Sequence, residues 1–188
     1  MIKVVVINGM PGCGKTTFEE MCGEYVNNQP PGFFEHGKFT FVRILSTVDF
    51  VKSIAKECGW DGSKTLKNRK FLSDLKDLLT EWDDVPFKAI KEYIDREYRL
   101  GFNSIIFVDC REPKEIQKLK DAFNATTVLI RRPAIEKNET SNHADAEVFD
   151  YEYDLNIWNE YGLEELKVMA NAFIEKLRNE DKNYEYVD

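Results

Sequence analysis

Residues 9–16 read Gly-Met-Pro-Gly-Cys-Gly-Lys-Thr, and they follow an apolar, β-branched run at residues 3–8. This is the complete Gly-x4-Gly-Lys-Ser/Thr pattern of a phosphate-binding loop, and it stands between a predicted strand and a predicted helix. The glycines allow a tight turn whose backbone N–H groups point at a phosphate, and the helix start adds partial positive charge. A loop that only reversed the chain would leave Lys15 and Thr16 unexplained. The stretch therefore predicts nucleotide binding.

Side chains in this loop and at the end of a later strand predict a Mg²⁺ ion beside the bound nucleotide. Lys15 is a mobile cation for the β- and γ-phosphates, and the Thr16 hydroxyl is a Mg²⁺ ligand. The apolar run at residues 105–108 ends in Asp109, a carboxylate that fits the magnesium shell, although acidic strand ends also serve as helix caps. We expect the nucleotide to be contacted by Gly9, Met10, Pro11, Gly12, Cys13, Gly14, Lys15, Thr16 and Thr17.

Arginines at the ends of predicted strands are candidates for holding phosphoryl charge. Arg111 follows Asp109 by two residues, and Arg131 and Arg132 follow the run at residues 126–130. Ligands gather at the carboxyl ends of strands in open α/β sheets, and the planar guanidinium group matches phosphate oxygens. The alternative for any one of these arginines is a solvated or surface-paired side chain. Together with Lys15 and Asp109, Arg111 and Arg131 form the expected catalytic set.

Strand-like and helix-like segments alternate along the chain, which predicts a parallel sheet covered by helices on both faces. Strands are predicted at residues 3–8, 39–45, 103–109, 126–130 and 154–158. Helices are predicted at residues 15–27, from an N-cap at Ser46 or Thr47 to Cys58, at 66–82, from Pro86, from Pro113 and at 163–177. Residues 131–152 are polar and aperiodic, which is typical of a loop or mobile flap, and residues from about 179 form a polar tail. We expect Trp82 and Trp158 in the core.

Composition excludes several classes of function. The chain has 188 residues, enough for a single domain at residues 1–188, and its net charge of −8 argues against general nucleic-acid binding. Its four cysteines lie far apart, so neither a zinc site nor a disulfide framework is expected. The apolar runs are too short to span a bilayer, and no signal peptide precedes the first strand. We expect a cytoplasmic protein without a membrane or nucleic-acid partner.

Several segments resemble the nucleoside monophosphate kinase branch of the P-loop kinases, and the resemblance extends over nearly the whole chain. It begins with GMPGCGKTT at residues 9–17. The segments STVDFVK at 46–52, RKFLSDLK at 69–76 and VDCREP at 108–113 are similar to deoxynucleoside monophosphate kinases of phages and bacteria. The segment YDLNIWNEYGLEEL at 153–166 is similar to the last strand, adenine-side loop and closing helix of that group and of dephospho-coenzyme A kinases.

The resemblance implies a P-loop NTPase fold, with three α/β/α layers and a five-stranded parallel sheet in the order 2-3-1-4-5. It also implies an acceptor-binding insertion at about residues 46–100 and a lid at about residues 131–152. In this interpretation Arg131 is the lid-side arginine that contacts ATP, Asn159 contacts the nucleotide, and Arg111 lies near the acceptor phosphate. Further candidate acceptor contacts are Arg43, Thr47, Asp49, Arg69 and Phe71.

Some acceptor signatures of related kinases are absent. These are the Asp-Gly-Phe-Pro-Arg of adenylate kinases, the Asp-Arg-Tyr/His of thymidylate kinases and the proline-leucine segment of dephospho-coenzyme A kinases. Residues 134–152 contain a single cation, Lys137, so the predicted lid is weakly basic.

The expected activity is transfer of the γ-phosphate of ATP, with Mg²⁺, to a small phosphorylated acceptor by a monomer or homodimer. The expected acceptor is a nucleoside or deoxynucleoside monophosphate. One alternative is a P-loop kinase for another small metabolite, of the phosphomevalonate or cofactor type. The other alternative is a nucleotide-binding regulatory ATPase.

Overall fold

The computed structural model describes residues 1–29, 41–136 and 147–182. The strands are β1 (Ile2–Asn8), β2 (Phe41–Ser46), β3 (Ser104–Asp109), β4 (Thr126–Arg131) and β5 (Leu155–Trp158). The helices are α1 (Lys15–Asn27), α2 (Asp49–Glu57), α3 (Leu66–Asp83), α4 (Val85–Arg99), α5 (Pro113–Phe123), α6 (Pro133–Glu136) and α7 (Leu163–Lys182). A 3-10 turn at Glu147–Phe149 precedes β5.

All five strands run parallel in one sheet, in the order β2-β3-β1-β4-β5. The central strand β1 pairs with β3 on one side and β4 on the other, so that Val5 lies beside both Phe107 and Thr126. This order confirms the predicted three-layer α/β/α fold. It also places the turn after β1, which contains the phosphate-loop sequence, at the middle of the carboxyl edge of the sheet.

Alternate residues of β1 face two separate cores, which explains why the strand is apolar throughout. One core packs β1, β3 and β4 against α1 and α7, and it includes Phe18 and Phe173. The other core packs the opposite face of the sheet against α4 and α5, through Ile90, Ile94, Ile116 and Leu119. Since both faces of the sheet are covered, its carboxyl edge is left for ligands.

Helix α3 is less buried than its sequence pattern predicts. Its only buried residue is Lys76, and Trp82, expected in the core, is 75% exposed. The helix packs on α2 and α4 rather than on the sheet, so most of its apolar stripe is only partly covered. Trp158 was also expected in the core, but it lies on the edge strand β5 and is exposed.

The start of α2 also differs from the prediction. The helix begins at Asp49 with Val48 in the N-cap position, so neither Ser46 nor Thr47 caps it. The Thr47 N–H instead donates to the Asp109 carbonyl at 3.1 Å, one residue beyond the last β2–β3 pair. The Asp49 carboxylate accepts a hydrogen bond from the Ser46 N–H at 2.8 Å. The predicted N-cap residues therefore stabilise the end of the strand rather than the helix.

The first residues of the predicted flap and of the predicted tail form regular secondary structure, which their polar composition does not indicate. Strand β4 continues through Arg131, and the short helix α6 follows it. Helix α7 runs to Lys182 rather than ending at residue 177. Residues 137–146, which include Lys137, and residues 183–188 lie outside the described parts of the chain, as do residues 30–40.

Within the described ranges, no helix combines the length and the apolar character that crossing a membrane requires.

Phe18 supports a prediction about the core beneath the phosphate loop. Its ring is fully buried and contacts Phe107 and Phe173, with centroids 6.4 and 5.6 Å away. Phe18→Ala should lower the free energy of unfolding by about 3–5 kcal/mol, because it removes buried area and leaves a cavity. The control Phe50→Ala alters a ring that is 45% exposed and should cost much less. Equal losses in urea titrations would contradict the assigned core.

Candidate functional site

The turn between β1 and α1 has the backbone shape of a phosphate-binding loop. Gly14, at the start of α1, has a φ of 98°, which is left-handed backbone that favours glycine. The Cys13 N–H donates to the Met10 carbonyl at 3.0 Å, which closes the turn. The Asn159 amide donates to the Cys13 carbonyl at 2.8 Å, and a Cβ atom on Gly14 would overlap that amide. Gly14 is therefore needed both for its conformation and for the approach of Asn159.

A cavity of about 590 Å³ opens over this loop. Residues 9–17 form part of its lining, and further lining comes from Asn159, Gly162, Leu163 and Leu166 around the start of α7. The charged lining residues are all cations, namely Lys15, Lys64, Arg111 and Arg132. Among the residues that the structure describes, the lining contains no Asp or Glu, although the whole chain carries a net charge of −8. Such a cavity attracts anions.

Lys15 pairs with Asp109 at the edge of this cavity. Its ammonium group donates to the Asp109 carboxylate, which brings together the phosphate loop and the end of β3 as the sequence predicts. Lys15 is on the first turn of α1 and Asp109 is the last residue of β3, two elements whose ends meet at the carboxyl edge of the sheet. The pair supplies a carboxylate close to the phosphate-binding turn.

Glu19 is a second carboxyl group beside this pair, and the sequence analysis missed it. It lies one turn after Lys15 on α1 and is fully buried, and neither of its side-chain oxygens meets a donor among the described residues. Burial and the negative charge of Asp109 raise the pKa of Glu19 to about 8. The sequence offers one signal for Glu19, which is its spacing of one helical turn from Lys15. A charged residue on a helix ordinarily faces solvent, however, so this spacing alone did not indicate a site residue.

Asn8 holds three segments of the site together. Its side-chain oxygen accepts from the Gly9 N–H at 2.8 Å. Its amide donates to the Arg111 carbonyl at 3.2 Å and to the Tyr153 hydroxyl at 2.7 Å, and that hydroxyl donates to the Val148 carbonyl at 3.0 Å. Since Asn8 is buried, these partners replace water for both its donor and its acceptor groups. The segment that carries Arg111 is thereby tied to the start of the phosphate loop.

A buried ion cluster lies behind Arg111. Lys76 of α3 donates to Glu112 and to Glu115, the latter at 2.8 Å, and both carboxylates lie at the start of α5. Burial, and a hydrogen bond that the protonated Glu115 donates to the Glu112 carboxylate, raise the pKa of Glu115 to about 7. Burial opposes the charge of Lys76, but the two carboxylates outweigh it and raise the pKa of that ammonium group. The cluster links α3 to the segment that follows β3.

The two arginines after β4 have different surroundings. Arg131 makes a bidentate pair with Glu136, at 3.1 Å from Nε and 2.6 Å from Nη2, and its guanidinium lies 4.5 Å from the Trp158 ring centroid. It does not line the cavity. Arg132 does line it, and its Nη1 donates to the Gly12 carbonyl at 3.1 Å. The structure therefore brings Arg132, rather than the predicted Arg131, to the phosphate loop.

Most predicted acceptor contacts lie away from the cavity lining. Arg43 lies 4.6 Å from the Phe41 ring centroid and 3.8 Å from Glu97. Thr47 is buried, and Asp49 pairs with Lys52 at 3.0 Å. Arg69 and Phe71 lie near the start of α3. Of the predicted acceptor set, Arg111 alone lines the cavity, whereas Lys64, which the sequence analysis did not consider, lines it as well.

The residues at the loop fit a hard cation such as Mg²⁺. The exposed Thr16 is on the first turn of α1, and Asp109 retains 26% of its side-chain exposure. Hydroxyl and carboxylate oxygens are the ligands that Mg²⁺ prefers, usually together with phosphate oxygens. The protein would supply few ligands of its own, since no cluster of three or more His, Cys, Asp or Glu side chains with metal-binding geometry is present in the described ranges. Thr16 and Asp109 are the residues that would hold the ion, with the nucleotide completing its shell.

No protein-family model matches this chain, and no curated protein sequence does. Among solved structures, a gluconokinase from Sinorhizobium meliloti 1021 is 15% identical with a TM-score of 0.48, over 98% of each chain. A sugar kinase from Janibacter sp. is 18% identical with a TM-score of 0.46, over 93% of this chain and 95% of its own. A thymidylate kinase from Ehrlichia chaffeensis is 12% identical with a TM-score of 0.45, over 92% and 98%.

The raised pKa of Glu19 predicts how stability depends on pH in the absence of nucleotide and Mg²⁺. Between the ordinary carboxyl pKa and about 8, the folded protein holds a proton that the unfolded chain has released. The free energy of unfolding should therefore fall as pH rises through this window, by up to about 1.4 kcal/mol per pH unit. Glu19→Gln keeps the size of the side chain and removes the titration, so its stability should change less between pH 5.5 and 8.

The measurement is urea unfolding at several pH values for the parent and two variants. Glu20→Gln is the matched control, because Glu20 is the exposed neighbour on the same helix, and it should keep the parental slope. If the Glu19→Gln and parent curves stay parallel across the window, Glu19 is ionised in the folded state and the assignment is wrong.

Proposed function

We propose that this protein is a phosphotransferase that uses Mg²⁺ and ATP. It moves the γ-phosphate to a small phosphorylated acceptor, a nucleoside or deoxynucleoside monophosphate. The observation that carries this proposal is the cavity over the phosphate loop, whose lining, over the described ranges of the chain, has four cations and no carboxylate. ATP and a monophosphate acceptor together bring several negative charges into one space, and a lining of this kind favours that combination.

The order of the strands supports separate positions for donor and acceptor. The phosphate loop follows the central strand β1. On the β4–β5 side, the cavity lining includes Asn159, Gly162 and Leu163, uncharged surroundings that suit the uncharged part of a nucleotide. On the β3 side it includes Arg111 and Lys64, which suit an anionic group. We therefore assign the donor to the β4–β5 side and the acceptor to the β3 side.

The transfer requires positioning and charge neutralisation rather than a strong base. An oxygen of the acceptor phosphate forms the new bond to the γ-phosphorus, the bond from that phosphorus to the β–γ bridging oxygen breaks, and ADP leaves. Lys15 stabilises charge on the transferring group, and Arg132 is placed over the loop to do the same. Bound Mg²⁺ would neutralise further phosphate charge. Arg111 orients the acceptor.

The proposal is tested by incubating the protein with Mg²⁺, ATP and a panel of ribo- and deoxyribonucleoside monophosphates, and measuring ADP and the diphosphate product. ADP formation should require an acceptor. Lys15→Ala should lower kcat by about a hundredfold or more, because a charge on the transferring group is lost. Lys167→Ala removes an exposed cation outside the cavity and should leave kcat unchanged.

Two results would reject this function. Hydrolysis of ATP at the same rate with and without every acceptor would indicate a regulatory ATPase. An unchanged kcat in folded Lys15→Ala protein would show that the loop is not the catalytic site.

Arg111→Ala should impair use of the acceptor far more than binding of ATP. Loss of one guanidinium–phosphate contact should lower kcat/KM for the acceptor by about tenfold to a hundredfold. The ATP dissociation constant without acceptor should stay nearly the same, because Lys15 and the loop amides remain. Arg111→Lys should recover part of the loss, since it keeps the charge but not the planar fork.

Arg99→Ala is the matched control, because Arg99 is exposed at the end of α4. Weaker ATP binding with a normal acceptor KM would place Arg111 on the donor side instead.

A further inference from the structure

Lys64 reaches the phosphate cavity from a distant part of the sequence. It lies in the segment between α2 and α3, almost fifty residues after Lys15, and it lines the same cavity as the phosphate loop and Arg111. No hydrogen bond or ion pair to the described residues engages its ammonium group. Lys64 is exposed, and a cation so placed adds to the positive potential of the cavity.

The segment that carries Lys64 is held by an extensive set of hydrogen bonds around Asn68. The Asn68 amide donates to the Asp61 carboxylate at 3.0 Å, to the Ser63 hydroxyl at 2.7 Å and to the Ser63 carbonyl at 3.3 Å. The Ser63 N–H donates to Asp61 at 2.9 Å. One side chain thus fixes the residues that directly precede Lys64.

Both ends of this segment are attached to helices. On one side, the Trp60 N–H donates to the Ala55 carbonyl of α2 at 2.9 Å, and the Trp60 indole N–H donates to the Ser63 carbonyl at 3.3 Å. On the other side, the Thr65 hydroxyl accepts from the Asn68 N–H at 3.2 Å and caps α3. Surface connections of this length ordinarily lack so many internal bonds, and here they fix the backbone on both sides of Lys64.

The Asp61 carboxylate, three residues before Lys64, accepts these hydrogen bonds and makes no ion pair with Lys64. Hydrogen bonds from the Ser63 backbone and side chain, and one from Asn68, satisfy the Asp61 carboxylate and lower its pKa. The nearest acidic residue along the chain is therefore engaged by neutral donors. This leaves the Lys64 charge available to the cavity.

We propose that Lys64 is a ligand of the acceptor's phosphate group, opposite the donor side of the cavity, and that Asn68 is the residue that positions it. This inference rests on the proposed function and adds a second cation, beside Arg111, to the acceptor side. It implies that the acceptor must carry its own anionic group, because two cations on that side would otherwise stay uncompensated.

The two cations have different physical roles. Arg111 presents a planar fork, which demands a defined orientation of phosphate oxygens, whereas Lys64 is a point charge on a flexible stem. A point charge stabilises the bound acceptor and the transition state to similar extents. Its loss should therefore raise the KM of the acceptor and leave kcat nearly unchanged.

The test measures binding separately from catalysis. Dissociation constants of ribo- and deoxyribonucleoside monophosphates, of the matching unphosphorylated nucleosides and of ATP are measured by calorimetry for the full chain and its variants. Lys64→Met should weaken monophosphate binding by about tenfold, leave nucleoside binding as weak as in the parent, and leave ATP binding unchanged. Lys64→Arg should bind nearly as the parent does. Lys67→Met is the matched control, because Lys67 is an exposed cation on the adjoining turn of α3 that does not line the cavity.

Asn68→Ala tests the positioning role, since it keeps Lys64 in the chain. It should reproduce most of the Lys64→Met loss in monophosphate binding and the rise in acceptor KM, with kcat and ATP binding unchanged. The double variant should bind no more weakly than Lys64→Met alone, because both changes remove the same contact. Additive losses would overturn the positioning role, since Asn68 would then act independently of Lys64.

The outcomes separate this inference from the function on which it rests. If the parent transfers phosphate but Lys64→Met binds monophosphates as Lys67→Met does, the acceptor-ligand assignment is wrong and the phosphotransferase proposal stands. If monophosphate binding depends on Lys64 but the parent transfers no phosphate, Lys64 is a ligand of the monophosphate and the phosphotransferase proposal is wrong. Weaker ATP binding in Lys64→Met would place Lys64 on the donor side and overturn the inference, as would a parent that binds nucleosides as tightly as their monophosphates.

Discussion

The side chain of Asn8 is the contact on which the geometry of the site depends. It is buried at the end of the central strand and bonds at once to the phosphate loop, to the segment after β3 and to the tyrosine that precedes β5. A buried amide with unsatisfied groups is costly, so these three segments have to meet at one point. The position of the Arg111 backbone relative to the loop follows from that requirement.

Charge is distributed unevenly around this point. The chain as a whole is acidic, yet the carboxylates nearest the site are neutralised or withdrawn from the cavity. Asp109 accepts from Lys15 and Glu136 pairs with Arg131, while Glu112 and Glu115 surround the buried Lys76. The positive cavity therefore results as much from the pairing of nearby acids as from the number of bases that line it.

The sequence predicts those features of the site that are local in the chain or repeat along it. The order of residues 9–16 determines the loop, and apolar runs ending in polar residues locate the carboxyl edge, so Lys15, Asp109 and Arg111 could be assigned. Arg131 and Arg132 are adjacent at the end of β4, and the sequence does not show which of the two side chains points into the cavity. In the structure Glu136 engages Arg131, and Arg132 lines the cavity. The acceptor contacts predicted near α2 and α3 were not confirmed as cavity residues, because α3 packs on helices rather than on the sheet. The places of Lys64 and Glu19 in the site depend on contacts between distant segments, which the spacing of residues along the chain does not reveal.

Helix α3 has a mechanical consequence for the acceptor side. Near its start, Asn68 fixes the turn that carries Lys64, and about 12 Å further along the helix, Lys76 is bound to the carboxylates that follow Arg111. Helix α3 thus connects the turn that carries Lys64 with the carboxylates that follow Arg111. A shift of α3, for example to admit a bulkier acceptor, displaces the Lys64 and Arg111 charges together instead of one at a time. The spacing between the two cations then stays the same, so altered contacts of α3 with α2 and α4 would move the position of the acceptor's anionic group without changing the size of group that fits between them.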